Sequence, residues 1–246
     1  MSRKQFGLVG RNISYSFSKN YFTERFQKNN IENCTYENFD IPDIANFPAI
    51  IKNNPDLIGL NVTIPYKEVV ISFLDELSER ATKMGAVNVI TVSKNGILRG
   101  DNSDYYGFKK SLEPLLQAHH KKALILGTGG ASKAVAFALE ELGISYIYVS
   151  RKTSENSINY SQIDNALFDK YQIIINTTPL GTSPNTHEFP EIPYELFTDK
   201  HIAYDLIYNP AETQFLKKAK EQGALTKNGM DMLVFQAEKA WEIWNE

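Results

Sequence analysis

Residues 124–132, Leu124-Ile125-Leu126-Gly127-Thr128-Gly129-Gly130-Ala131-Ser132, limit what this chain can fold into more than any other stretch. An apolar run reads as the end of a buried strand, glycines let the backbone turn sharply, and helix-forming residues follow. Strand, glycine turn and helix in direct succession open a dinucleotide-binding unit, whose helix N-terminus offers backbone amides to a pyrophosphate. Ser132 takes the place of a third glycine, and a small residue there still permits close helix–strand packing. A tight structural turn is the competing reading; the strand before and the helix after favour the nucleotide site.

The neighbouring sequence repeats the same alternation. Ala123–Leu126, Tyr146–Val149, Ile173–Asn176 and Ala203–Leu206 read as strands, with a helix over Ala131–Leu142. Continuous apolar strands separated by helices imply a parallel sheet covered on both faces. The second of these strands ends Val149-Ser150-Arg151-Lys152, without the acid that takes a ribose 2′-hydroxyl in NAD sites about 20 residues after the glycines. Two cations there suit a 2′-phosphate, so NADP is the expected cofactor. Solvated surface cations are the alternative, for Lys152 above all.

The first hundred residues have a different texture. Gln5–Gly10 reads as a short buried strand, Tyr21–Asn29 as a helix, and Leu57–Ile64 as a strand stopped by Pro65. Val69–Leu77 shows helical periodicity, and Val87–Val92 with Ile97–Leu98 form a hairpin turning at Asn95-Gly96. In Leu60-Asn61-Val62-Thr63-Ile64 the polar pair Asn61 and Thr63 shares one strand face, and Lys67 follows just past Pro65. An amide, a hydroxyl and an ammonium on one face make a ligand site or a solvent-facing edge strand. Three further stretches support the ligand site: Gly85-Ala86-Val87-Asn88, the polar turn Gly100–Gly107, and Asp205-Leu206-Ile207-Tyr208-Asn209-Pro210. Such groups collect in clefts at strand carboxyl ends.

Composition excludes several classes. With 26 basic and 29 acidic residues the net charge is −3, no footprint for nucleic acid. Cys34 is the only cysteine, which excludes an internal disulfide or a multi-cysteine metal site. His119, His120, His187 and His201 lack ligand spacing, so no metal is expected. Arg3 and Lys4 precede an apolar run of only Phe6-Gly7-Leu8-Val9. That is shorter than the roughly 7–15 residues of a signal peptide or about 20 of a membrane span, and the expected location is the cytoplasm.

The ordered set of motifs resembles the shikimate dehydrogenases from end to end. Gly7-Leu8-Val9-Gly10 and Ser14-Tyr15-Ser16-Phe17-Ser18 match the substrate loop; NVTIPYK (61–67), GAVN (85–88), GDNSD (100–104), GTGGAS (127–132), NTTPLG (176–181), DLIYNP (205–210) and MLVFQAE (232–238) follow in order. The resemblance implies two α/β domains. A substrate domain would take residues 1–103 plus 229–246, and a Rossmann-like NADP domain residues 104–228. The C-terminal helix, expected over Met232–Trp244, would pack back on the first domain. Ser16 and Ser18 would hold the substrate carboxylate, Asn61, Thr63, Asn88 and Gln236 the ring hydroxyls, and Tyr208 would line the cleft. Lys67 and Asp104 would be the catalytic pair. Gly127, Thr128, Gly129, Gly130, Ala131, Ser132, Ser150, Arg151 and Lys152 would contact NADP, with Asn176, Thr177, Thr178 and Gly229 lying along it.

Three positions depart from the family pattern: Lys19 stands where proline is usual, Ser150 where asparagine is usual, and Asp231 where glycine is common. The implied reaction is reversible NADPH-dependent reduction of 3-dehydroshikimate by a monomer or homodimer. Its nearest rival is a quinate-oxidising enzyme of the same fold, often NAD-dependent; a non-catalytic dinucleotide sensor is the other. The missing acid after Val149 opposes the first, and the retained Lys67 and Asp104 oppose the second.

Overall fold

The computed structural model describes residues 3–14, 16–151 and 156–246. The chain divides into two compact units, one of residues 1–103 with 237–246, the other of residues 104–236.

The first unit is built on a six-stranded mixed sheet. Its strands are β1 (Lys4–Gly10), β2 (Cys34–Asp40), β3 (Leu57–Val62), β4 (Glu76–Leu77), β5 (Val89–Val92) and β6 (Leu98–Asp101), in the order β2-β1-β3-β5-β6-β4. Strands β1, β2 and β3 are parallel, and β5 and β6 form the expected hairpin, closed by Ser93 N–H on the Ile97 carbonyl with Gly96 at φ +79°. Helix α1 (Phe17–Lys28) starts four residues before its expected position. Helices α2 (Phe47–Asn53) and α3 (Glu79–Met84) are short. The helix expected over Val69–Leu77 is a 3-10 turn at Val69–Phe73 followed by β4. Asp75 draws that segment onto the sheet: its N–H donates to the Leu98 carbonyl and its carboxylate accepts from Leu98 N–H at 2.8 Å. A run of β-branched residues also disfavours a longer helix.

The second unit carries β7 (Lys122–Leu126), β8 (Ser145–Val149), β9 (Ser157–Ile158), β10 (Ile173–Asn176), β11 (Ile202–Asp205) and β12 (Leu225–Lys227). Every pairing is parallel and the order is β12-β11-β10-β7-β8-β9. This is a doubly wound arrangement, whose switch point, between β7 and β10, is where ligands bind. Helices α4 (Asp104–Leu112), α5 (Gly130–Glu141), α6 (Asn165–Lys170) and α7 (Gln214–Glu221) belong to this unit.

Helix α8 (Met230–Asn245) is the long C-terminal helix, and its residues from Ala237 onward group with the first unit. Gly59 makes this possible, since a Cβ there would lie 2.6 Å from the Trp244 ring. The Trp244 indole N–H donates to the Ile90 carbonyl at 3.1 Å, and Phe6 and Phe22 pack against its ring. Burial of each such aromatic contributes about 1.5–3 kcal/mol. The unit boundary falls between Gln236 and Ala237. Residues before it stay with the second unit because Gly107 on α4 lets the Met232 carbonyl and Gln236 approach closely.

Candidate active site

In the first unit, four stretches far apart in sequence are stitched into one polar lattice. The Asn88 carbonyl accepts from Val62 N–H at 2.9 Å and from the Asn61 amide at 3.2 Å. Val87 N–H donates to the Lys67 carbonyl at 2.7 Å, so Lys67 is anchored beside Asn88 by its backbone. Asn88 Oδ1 in turn accepts from Ser103 N–H at 2.6 Å, and Asn102 donates to the Ala86 carbonyl at 2.9 Å. Asp101 accepts from Ser78 Oγ at 2.7 Å and pairs with Arg80. Asn61 and Asn88 are buried, while Thr63 and Lys67 are half-buried. Polar residues buried in a sheet interior must be hydrogen-bonded to be tolerated, and these are.

The loop before α1 is held from β2. Asp40 accepts from Asn12 N–H at 2.8 Å and Ile13 N–H at 3.1 Å, and Asn38 donates to the Ile13 carbonyl at 3.1 Å. Ser16 is the N-cap of α1, yet its hydroxyl caps nothing and is buried without a hydrogen-bond partner among the described residues. An orphaned buried hydroxyl of this kind suits a ligand oxygen. Ser18 is buried two residues on, beside the Tyr36 hydroxyl. Lys19 pairs with Glu37 at 2.7 Å. Tyr15 lies outside the described residues.

In the second unit Asp104 opens α4 and is buried. Gln236 on α8 is also buried, its amide donating to the Leu233 carbonyl. Tyr208 is half-buried, and burial pushes its phenol pKa up. Gly229 is a packing glycine, because a Cβ would meet the Leu206 carbonyl at 2.0 Å. Asp231 is exposed and forms an ion pair with Lys227.

A cavity of about 920 Å³ opens at the carboxyl ends of β7, β8 and β10. Gly127, Thr128, Gly129, Ser150, Arg151, Thr177 and Thr178 line it. Gly127 has φ +103°, and a Cβ would lie 2.9 Å from Thr177 Oγ1. Gly129, the N-cap of α5, leaves open space where a side chain would project. A cradle of bare backbone at a helix N-terminus fits a dinucleotide pyrophosphate. Gly130, Ala131 and Ser132 form the first turn of α5; Ser132 is fully buried and its hydroxyl donates to the Gly129 carbonyl. Asn176 lies behind the wall, fully buried. Its amide donates to Asp205 at 3.1 Å, while its Oδ1 accepts from Thr178 N–H and Oγ1 at 3.0 and 2.6 Å. Lys152 lies outside the described residues.

Sequence reasoning missed Asn159, Tyr160 and Phe189, which also line the cavity. It also missed Asp205 as a buried carboxylate: burial raises its pKa to about 6, against three hydrogen bonds that lower it. The one available signal was the charged end of an apolar strand.

A family profile described as the shikimate dehydrogenase substrate binding domain matches residues 8–90. The chain is 37% identical to the shikimate dehydrogenase (NADP(+)) of Caldanaerobacter subterraneus subsp. tengcongensis, over 98% of this chain and 91% of that one. The shikimate 5-dehydrogenase of Thermus thermophilus, solved with NADP(H) and shikimate, superposes with a TM-score of 0.87 at 30% identity, covering 98% of this chain and 93% of that one. A quinate dehydrogenase from Corynebacterium glutamicum, solved with NAD, gives a TM-score of 0.88 at 26% identity, covering 99% and 94%. Among the described residues no helix is long and apolar enough to cross a membrane.

Proposed function

The chain belongs to the shikimate dehydrogenase family, and on that footing we propose how its residues divide the work. It is an NADP-dependent oxidoreductase that reversibly reduces 3-dehydroshikimate to shikimate, a step towards chorismate and the aromatic amino acids. The cofactor is held along Gly127, Thr128 and Gly129 and by Arg151, and when bound it supplies the hydride. Ser16 and Ser18 take the substrate carboxylate through their hydroxyls. Asn61, Thr63, Asn88 and Gln236 take the ring hydroxyls, and Tyr208 lines the cleft.

Hydride addition to a ketone places negative charge on its oxygen, so a donor is needed where that charge develops. Lys67 is that donor: its ammonium delivers a proton to the nascent alkoxide and recovers it in the reverse direction. Asp104 orients Lys67 and an adjacent substrate hydroxyl. The enzyme acts in the cytoplasm as a monomer or homodimer.

The observation that carries this reading is the buried lattice joining Asn61, Asn88 and the Lys67 backbone, polar groups that a sheet interior has no structural need for. The absence of an acid after Val149 supports NADP over NAD. Initial rates measured at roughly 340 nm, with shikimate and quinate each paired with NADP and NAD, test it. Shikimate with NADP should be the fastest pair by at least about tenfold, a difference of about 1.4 kcal/mol in transition-state binding. Cofactor binding without turnover of either substrate would overturn the enzyme assignment, and a preference for quinate with NAD would overturn the specificity.

A further inference from the structure

Strand β2 carries none of the residues assigned above, yet one of its side chains reaches one of them. Tyr36 is 2% exposed, and its ring stacks on Phe22 with centroids 4.7 Å apart and 11° between the planes. That packing fixes where the phenol oxygen lies. The hydroxyl donates to Asn61 Oδ1 at 2.8 Å. A phenol has a single proton, and Asn61 takes it.

The same accounting fixes Asn61. Its oxygen faces a donor, the Tyr36 hydroxyl, and its nitrogen faces an acceptor, the Asn88 carbonyl at 3.2 Å. Exchanging oxygen and nitrogen would set carbonyl against carbonyl and leave the Tyr36 proton without an acceptor. One amide orientation therefore survives, and one Asn61 N–H has no hydrogen-bond partner among the described residues. A buried donor left over in this way recognises a ligand oxygen.

We propose that Tyr36 is a positioning residue for substrate recognition: it holds the Asn61 amide in the one orientation that leaves an N–H for the ligand. This rests on the reading that Asn61 contacts the substrate. Tyr36 itself does not touch the ligand. The ligand face that Asn61 meets must accept a hydrogen bond, as a hydroxyl or carboxylate oxygen does.

Steady-state kinetics of Tyr36→Phe, Asn61→Ala and the Tyr36→Phe/Asn61→Ala pair test the inference. Tyr36→Phe keeps the ring and leaves Asn61 Oδ1 unsatisfied. It should raise KM for shikimate about tenfold while kcat and KM for NADP stay close to wild type. In the Asn61→Ala background the same change should add less than about twofold, because the residue through which it acts is gone. If Asn61→Ala raises KM but Tyr36→Phe does not, the inference is overturned. A rise in both KM values, or an undiminished effect in the Asn61→Ala background, would show that Tyr36 is only structural. If Asn61→Ala leaves KM unmoved, the underlying assignment of Asn61 to the substrate fails instead.

Discussion

In the first unit two of the residues assigned to the ligand are side chains set into the sheet region and fixed by neighbours: Asn61 by Tyr36 and Asn88, Asn88 by Ser103. In the second unit the residues assigned to the cofactor are mostly bare backbone at Gly127 and Gly129, with side-chain order kept one layer behind, in Asn176 and Asp205. A small ligand with several hydroxyls is told from its isomers by directional bonds, which only placed side chains supply. A pyrophosphate needs close approach and many amides, which side chains obstruct. The first unit should therefore be sensitive to what is removed, and the second to what is added.

The largest expected effect is at Lys67. Replacing Lys67 with Ala removes the proposed proton donor and should lower kcat by about 10²–10⁴-fold. KM for shikimate and the Kd for NADPH should change little, because the backbone anchor from Val87 N–H to the Lys67 carbonyl remains. A variant retaining near-wild-type turnover would remove Lys67 from the chemistry and with it the central contrast between the units.

Gly127→Ala probes the opposite unit by addition. At φ +103° a Cβ costs about 1–3 kcal/mol in strain. Contact with Thr177 Oγ1 adds to that cost. Binding of NADPH, followed by its fluorescence, should weaken about 10–100-fold, while shikimate binding is spared. Equal loss of both ligands would mean that the glycine serves folding rather than the cofactor.

These contrasts also explain what the sequence reveals. Strand β10 coincides with its expected limits and β7 lies within one residue, because strands buried on both faces read as unbroken apolar runs. The hairpin at Asn95-Gly96 is legible from its turn chemistry. Strand β2 is not, since Cys34-Thr35-Tyr36-Glu37-Asn38-Phe39-Asp40 spends polar groups on holding the loop before α1 instead of facing water. A two-residue alternation cannot tell polar-in from polar-out. The glycine cradle is visible in the sequence because backbone demands leave glycines. Tyr36, Tyr160 and Phe189 are invisible because their roles come from tertiary neighbours, and aromatic residues are common in any core.

Asp205 sharpens the comparison through pH. Its pKa is raised to about 6 by burial, above an unfolded value of about 3.9. The sign follows from linkage: between those values the folded state holds the proton more tightly than the unfolded one, so stability falls as pH rises through the window. Stabilisation of about 3 kcal/mol, fully present below pH ~4, is lost by pH ~7. Subtracting the stability of Asp205→Asn from wild type at each pH isolates the effect, and chemical denaturation from pH 4 to 7.5 measures it. A flat difference would show that Asp205 is ionised throughout, with Thr213, Ile207 N–H and Asn176 outweighing desolvation.

The smallest effect is expected at Lys19, where the chain departs from the family's proline. Lys19 and Glu37 are 43% and 44% exposed, and an exposed pair is worth up to about 1 kcal/mol. The loop before α1 does not depend on it, because Asp40 and Asn38 already bond the backbone at Asn12 and Ile13. Lys19→Ala should therefore change KM for shikimate by less than about twofold, and Asp40→Ala should raise it further than that. The reverse order, with Lys19→Ala the more damaging, would mean that the ion pair rather than β2 sets the loop, and that losing the proline transferred its work to a surface charge.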